Sequence, residues 1–385
     1  MELVRRMRGF GTTIFAEMSE RATRADAINL GQGFPDTDGP PEVLAAAVAA
    51  INAGANQYPP GRGVPELREA VAEHQFRHYG LTHDPATEVL VTVGATEAIA
   101  ASLLALCEPG DEVIALEPTY DSYAATIALA GGVLVPVRLQ HPDHRLDLAA
   151  LRAAVTDRTR LLLINSPHNP TGRVLDADEL AGIAAVAAEH DLLVVSDEVY
   201  EHLTFDDHRH VPIATLPGMA ARTITISSGG KTFSTTGWKV GWACGPAELI
   251  TAVTTTKQFL SYTHAAPFQL GIATGLGLRD DRLAEIRDRL QAGRDLLLAG
   301  LAGAGLTARP SQGTYFLTVD IAEIGETDSL AFCRALPERC GVAAIPSQVF
   351  YGDPTGVETL VRFAFCKRPE VLAAGAERLA RLARP

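Results

Sequence analysis

Between residues 88 and 227 the chain alternates short apolar, β-branched runs with segments of helical spacing, and this restricts its fold more than any other feature. Runs at 89–93, 112–116, 133–137, 161–165, 192–197 and 223–227 read as strands that are apolar on both faces. Helical patterns at 94–107, 120–130 and 176–190 lie between them. A strand buried on both faces needs cover on each side. A helix between successive strands supplies that cover and makes parallel pairing possible. The expectation is an α/β fold with a mainly parallel sheet covered by helices. Before it, the first 40 residues are irregular and rich in Gly and Pro, helices are expected at 41–53 and 65–79, and 56–63 reads as a loop. After 280 the texture changes to a charged helix at 281–301, strands at 314–319 and 360–365, and an amphipathic helix at 369–382. A chain of 385 residues is too long for one simple core. We therefore expect a large domain, 41–280, and a smaller α+β domain formed by 1–40 and 281–385.

Charge and cysteine content narrow the partners. The formal net charge is −13, which argues against nucleic acid and anionic membranes as main partners but leaves room for a locally positive pocket. The five cysteines (Cys107, Cys244, Cys333, Cys340 and Cys366) lack CxxC spacing, so neither a disulfide framework nor a metal site is expected, and a reducing cytoplasm fits. The segment from Met1 to Arg8 has charges with no apolar stretch behind them, and no run of about 18 apolar residues suggests a membrane span.

Several polar residues fall at strand ends, where ligands of open α/β sheets gather. The most informative is Lys231, in Ser227-Ser228-Gly229-Gly230-Lys231-Thr232-Phe233-Ser234-Thr235-Thr236-Gly237-Trp238-Lys239-Val240-Gly241. A lysine among small residues past a strand can be held against a ligand. The hydroxyls of Ser227, Ser228, Ser234, Thr235 and Thr236, with Lys239, are candidates to hold an anion. An amine beside an anion site is what a Schiff base to pyridoxal phosphate requires; the bland alternative is a polar loop with two surface lysines. Gly94-Ala95-Thr96 opens a helix, which suits a phosphate or simply an N-cap. Asn169, in Asn165-Ser166-Pro167-His168-Asn169-Pro170-Thr171-Gly172, offers a donor to a phenolate oxygen or an ordinary Asx-Pro turn. Asp197 ends an apolar run, where a carboxylate needs a partner. A pyridinium nitrogen would serve, with Tyr200 sharing the phenolate side with Asn169; a helix cap is the alternative. Arg362 interrupts an apolar strand, and its fork matches a carboxylate, whether of a ligand or of an internal salt bridge. Tyr58 and Arg62 read locally as surface residues, Trp238 and Trp242 as packing, and His168 as a solvated loop histidine.

Together these motifs resemble the fold-type I, pyridoxal-phosphate-dependent aminotransferases of class I/II. The resemblance runs from Asn29-Leu30-Gly31-Gln32-Gly33-Phe34-Pro35-Asp36 through Asn56-Gln57-Tyr58, Val91-Thr92-Val93-Gly94-Ala95-Thr96-Glu97 and Ser196-Asp197-Glu198-Val199-Tyr200 to Val361-Arg362-Phe363. The segment 231–242 looks most like the kynurenine aminotransferase/glutamine transaminase K branch. The whole chain also looks like the N-succinyldiaminopimelate aminotransferases of actinobacteria, with methionine and aromatic aminotransferases nearby. The resemblance implies Lys231 as the Schiff-base lysine and proton shuttle, Asp197 as the pyridinium partner, and Asn169 and Tyr200 as donors to the ring oxygen. It implies Tyr120 as the stacking aromatic, and Ala95, Thr96, Ser228 and Lys239 as the phosphate site. Tyr58 would reach in from the second subunit of a homodimer, and Arg362, helped by Gly33 and Asn169, would bind the substrate α-carboxylate. Many relatives carry arginine where this chain has Lys239, which offers a point charge instead of a fork; the kynurenine-type branch shares the lysine.

The implied reaction is ping-pong transfer of an amino group between an L-amino acid and a 2-oxo acid, of aromatic, kynurenine, glutamine or methionine type. Alternatives on the same site are an N-succinyldiaminopimelate aminotransferase and a carbon–sulfur β-lyase. A non-catalytic ligand-binding regulator would carry an added DNA-binding module, and the sequence reads as having none. For a distal carboxylate, Arg62 and Arg222 are the only candidates, without local support.

Overall fold

The computed structural model describes residues 3–11 and 13–383; Met1 and Glu2, where the charged amino-terminal segment begins, lie outside the described residues. The chain opens with helix α1 (Ile14–Arg24), strand β1 (Ile28–Asn29) and helices α2 (Pro41–Asn52) and α3 (Pro65–Tyr79). The alternating region follows: β2 (Val89–Val93), α4 (Gly94–Leu106), β3 (Glu112–Glu117), α5 (Asp121–Ala130), β4 (Val133–Gln140), β5 (Arg145–Leu146), α6 (Leu148–Ala153), β6 (Thr159–Asn165), α7 (Ala177–Glu189), β7 (Leu193–Asp197) and β8 (Thr223–Ser228). A one-turn helix, α8 (Gly229–Thr232), leads to β9 (Val240–Cys244) and the helices α9 (Ala247–Lys257), α10 (Ala266–Leu276) and α11 (Asp280–Gly303). The remainder is β10 (Phe316–Asp320), α12 (Ser329–Cys340), β11 (Val342–Ala343), β12 (Ile345–Pro346), β13 (Leu360–Ala364) and α13 (Pro369–Leu379).

Among the described residues the main sheet runs β2-β9-β8-β7-β6-β3-β4-β5. The pairs from β8 through β7, β6 and β3 to β4 are parallel. Successive residues go to opposite faces: Val113, Ala115, Leu161 and Leu163 enter one apolar layer, Ile114, Leu116, Leu162 and Ile164 the other. This is the two-faced burial that the continuous apolar runs require. Register then fixes the strand ends. Asn165 pairs with Asp197, and Asp197 with Ile226, so the polar residues that terminate these strands share one rim.

Several elements lie outside the sequence reading, among them α9 (Ala247–Lys257) and α10 (Ala266–Leu276), and three of them show why. The first 40 residues are not wholly irregular: α1 forms there, its start capped by Thr13, and it buries only Met18 and Ala22, too narrow a stripe to stand out. Strand β9 lies antiparallel to both β2 and β8. Its signal is masked by brevity and by Gly241, where a Cβ would sit 2.5 Å from the Gly94 carbonyl carbon. Helix α12 contains Pro337, a residue that argues against helix on sequence grounds. Beyond the main sheet, β10, β13 and β12 form an antiparallel sheet and β1 pairs in parallel with β11, so the amino-terminal segment packs with carboxyl-terminal elements. No helix among the described residues is long and apolar enough to cross a membrane.

Candidate active site

A cavity of about 250 Å³ opens at the carboxyl ends of β2, β6, β7 and β8. Gly33, Ala95, Thr96, Tyr120, Asn169, Asp197, Tyr200, Ser228, Lys231, Lys239 and Arg362 all line it. Of the residues that the resemblance implies for the site only Tyr58 stands apart. Its side chain is 84% exposed and meets Tyr262 edge-on, 5.8 Å between ring centroids.

Lys231 enters the cavity from α8. Its Nζ donates to the Tyr315 hydroxyl at 2.9 Å, and that hydroxyl donates to the Gly33 carbonyl at 2.6 Å. Gly33 must be glycine, since a Cβ there would lie 2.5 Å from the Phe316 ring. Burial pushes the Lys231 ammonium down to about 8, with Asp197 partly offsetting it. Such an amine is substantially neutral at mildly alkaline pH and can attack an aldehyde or take a proton.

Asp197 ends β7 and caps no helix. Its Oδ2 accepts from the Tyr123 hydroxyl at 2.6 Å and its Oδ1 from the Val199 amide at 3.3 Å. Burial raises its carboxyl to about 6 even though these bonds favour the anion. A buried carboxylate held by neutral donors suits a cationic N–H in the cavity.

Arg362, on β13, is buried, and no carboxylate pairs with it among the described residues, which rules out the internal salt bridge. Its Nη1 donates to Asn169 Oδ1 at 3.0 Å and its Nη2 to the Gly31 carbonyl at 2.9 Å, while Nε has no partner. The guanidinium lies 3.9 Å from the Phe316 ring centroid, which fixes its plane. Burial lowers its pKa to about 10, still far above neutrality, so a charged fork lacks an anion. Asn169 spends its Oδ1 on this fork, so its amide group is left to donate; its backbone N–H is held by Asn165 Oδ1 at 2.7 Å.

At the opposite end, α4 begins at Gly94, whose φ of 69° disfavours any side chain and where a Cβ would lie 3.1 Å from Lys239 Nζ. The positive helix terminus, Ser228, Thr236 and Lys239 make an anion cradle there. The other expected hydroxyls do not line the cavity: Ser227 donates to Glu201, Thr235 donates to the Gly229 carbonyl at 3.4 Å, and Ser234 lies outside the lining. An amine, a buried carboxylate, an anion cradle and an unpaired guanidinium around one slot fit the aldehyde, ring nitrogen and phosphate of pyridoxal phosphate together with a substrate carboxylate.

His168 is buried, not solvated: its Nδ1 pairs with Thr171 Oγ1 at 2.8 Å, and burial pushes it down to about 3. Arg62 binds the Thr87 carbonyl and Thr251, and Arg222 binds Asp191, so neither reaches the cavity. Trp238 stacks on Phe268 and Trp242 is buried, both as packing groups. Tyr123 and Tyr315 escaped the sequence reading. Tyr123 lies three residues after Tyr120 on α5 and so shares its face, the one available signal. Tyr315 precedes an apolar strand and has an ordinary packing reading.

Comparison with known proteins gives matches over nearly the whole chain. Residues 25–379 match the family model for aminotransferase class I and II. A probable N-succinyldiaminopimelate aminotransferase of Mycobacterium tuberculosis is 56% identical, over 99% of this chain and 98% of the relative. Methionine aminotransferase of Escherichia coli is 41% identical over 97% and 96%. The solved structure of N-succinyldiaminopimelate aminotransferase from Mycobacterium tuberculosis superposes with a TM-score of 0.97, covering 99% of this chain and 100% of that one at 56% identity.

Proposed function

The chain belongs to the class I and II aminotransferases, and from that premise we propose that it uses pyridoxal 5′-phosphate to move amino groups between L-amino acids and 2-oxo acids of aromatic, kynurenine, glutamine or methionine type. The observation that carries the proposal is Lys231, a buried amine with a depressed pKa, in one cavity with Asp197 and an Arg362 that lacks a counter-ion. When bound, the cofactor supplies an aldehyde that condenses with amines and a ring that draws electrons from the substrate Cα. Lys231 would be the resident amine for that aldehyde, and its Nζ would take the proton from the substrate Cα. Asp197, oriented by Tyr123, holds the ring nitrogen protonated. The Asn169 amide and the Tyr200 hydroxyl would donate to the ring oxygen, and Tyr120 would pack against the ring. Ala95, Thr96, Ser228 and Lys239 hold the phosphate; in a homodimer the partner subunit's Tyr58 completes that site.

Arg362 takes the α-carboxylate, assisted by Asn169 and Gly33. The expected domain division gives these roles a simple layout: cofactor ligands come from 41–280, and the substrate side (Gly33, Phe316, Arg362) comes from 1–40 and 281–385. Phe15, Phe34, Ile99 and Phe316 make the cavity wall largely apolar, and no second arginine lines it among the described residues. An aromatic, thioether or amide side chain suits that wall. The scattered cysteines without CxxC spacing are the reason for proposing a cytoplasmic location.

The 56% identity to a probable N-succinyldiaminopimelate aminotransferase favours a second reading, in which the amino donor is glutamate and the other substrate carries a succinylated, distal-carboxylate chain. A donor panel separates the two. Loss of the cofactor's aldehyde absorption with kynurenine, glutamine, methionine or phenylalanine supports the first reading. Loss only with glutamate or N-succinyldiaminopimelate supports the second. A protein that takes up no pyridoxal phosphate refutes both.

A further inference from the structure

Away from the cavity three histidines meet. His74 and His78 stand one turn apart on α3 and so share a face. His202 comes to them from the turn that follows Tyr200, 128 residues beyond His74. One ring nitrogen from each lies within 4.8 Å of the other two, and the ring centroids are 4.6 to 4.9 Å apart. We propose that His74, His78 and His202 form a binding site for a late first-row divalent metal ion, zinc foremost, that ties α3 to the turn carrying Tyr200.

The geometry is near that of a three-histidine site. Zinc–nitrogen bonds of about 2.0–2.1 Å in a tetrahedron place ligand nitrogens roughly 3.3 Å apart. His74 Nε2 and His202 Nε2 are 2.7 Å apart. Seating an ion therefore opens this pair by about 0.6 Å and draws the third nitrogen inward, a matter of small ring rotations. A simple imidazole–imidazole hydrogen bond joins His74 and His202 only and leaves the third ring, His78, without a part in it. An all-imidazole donor set selects zinc, copper or nickel over magnesium and calcium.

Access comes from the His78 side, where the side chain is 17% exposed. The Asp280 carboxylate stands 3.8 Å from His78 Nε2 at this rim and supplies negative charge, or a fourth ligand, towards solvent. Arg77 opposes it. Its Nε and Nη2 lie 3.3 and 3.2 Å from the same nitrogen, with Nη2 also held by the Leu276 carbonyl at 2.9 Å. The ion therefore sits on the inner side of the rings, and His78 gives up its Arg77 contact to bind it. Nothing in the sequence pointed to a metal, because the third ligand is remote from the first two and no cysteine pair marks the site.

The test uses untagged, cofactor-loaded protein that has been treated with chelator and then dialysed against zinc chloride, with bound metal measured by mass spectrometry. The wild type should take up about one zinc per chain, without competition from magnesium. His78→Gln, at the rim where folding is not at risk, should bind at least ~10-fold more weakly, since even outer partners of a metal ligand contribute that much. Arg77→Gln should bind more tightly. Zinc should raise the melting temperature of the wild type and leave that of His78→Gln unmoved. Sub-stoichiometric uptake by the wild type overturns the proposal. So does a loss of less than tenfold in His78→Gln, which would assign the binding to other histidines of the chain.

Discussion

Replacing Arg362 by lysine keeps the positive charge and removes the fork. In the native site the fork is held on two sides, by Asn169 Oδ1 at 3.0 Å and the Gly31 carbonyl at 2.9 Å, and its plane lies against Phe316. Arg362 lines the cavity, and its Nε has no partner. An ammonium on a flexible stem cannot satisfy both fixed acceptors and also grip a carboxylate bidentately. It loses at least one charge-assisted hydrogen bond to substrate, about 1.5–3 kcal/mol. This corresponds to a fall in kcat/KM of roughly 10- to 150-fold. The α-carboxylate is held in the ground state as well as in the transition state, so most of the loss should appear in KM. The assay is steady-state transamination with a saturating 2-oxo acid. Cofactor absorption and circular dichroism show that the variant is loaded and folded. A loaded, folded Arg362→Lys enzyme within about threefold of the wild type would refute the assignment, because a factor of three is below one hydrogen bond to a charged group.

The other expectations concern charge and protons. Burial raises the Asp197 carboxyl to about 6 in the cofactor-free protein. Well below the unfolded value of about 3.9 it is protonated in folded and unfolded chains alike, and the cost of burying the anion grows as pH rises to the folded value, reaching roughly 3 kcal/mol at most above pH 6. Cofactor-free Asp197→Asn should therefore melt above the wild type at pH 7.5 and close to it at pH 4 in calorimetry, while losing transaminase activity; equal melting at pH 7.5 would contradict this. Tyr315→Phe removes the acceptor of the Lys231 amine, and one hydrogen bond of about 0.5–1.5 kcal/mol predicts a ~2- to 13-fold slower half-reaction in stopped flow. An unchanged rate would leave Tyr315 with packing alone. Because burial lowers Lys231 to about 8, the rate at which cofactor-free protein takes up pyridoxal phosphate should rise with pH around a midpoint near 8. A midpoint near the usual lysine value would show the amine to be solvated.

What was legible in the sequence shares one physical cause. The interior of the main sheet could be read because β2, β3, β6, β7 and β8 are buried on both faces and so are continuous apolar or β-branched runs, whereas β4, read the same way, is partly exposed with Val133 at the surface. Lys231, Asp197 and Arg362 could be read because each sets a charge where the surroundings are apolar or small, a conflict that only a ligand or an ion pair resolves. For Arg362 the structure decided between those two by showing no paired carboxylate. Tyr123 and Tyr315 stayed hidden because a tyrosine on a helix or strand face already has a packing explanation, and their hydroxyl partners come from distant elements. His168 misled because a Pro-rich loop looks solvated, while register folds this one beneath the strand ends. Strand β9 was missed because Gly241, required by the close approach to Gly94, weakens its strand signal. Tyr58 is exposed in the single chain, so a role at a cofactor site depends on a second subunit that one sequence does not display.

The chain has four lysines: Lys231, Lys239, Lys257 and Lys367. Lys257 is tied to the carbonyls of Gly61 and Tyr262, and Lys367 to that of Phe34, so only Lys231 and Lys239 face the cavity. The most direct test loads the protein with pyridoxal phosphate, reduces it with borohydride and maps the label by peptide mass spectrometry. The account predicts a phosphopyridoxyl group on Lys231 alone, and no transamination by Lys231→Ala. A label on Lys239, Lys257 or Lys367 instead, or undiminished turnover by Lys231→Ala, would contradict it.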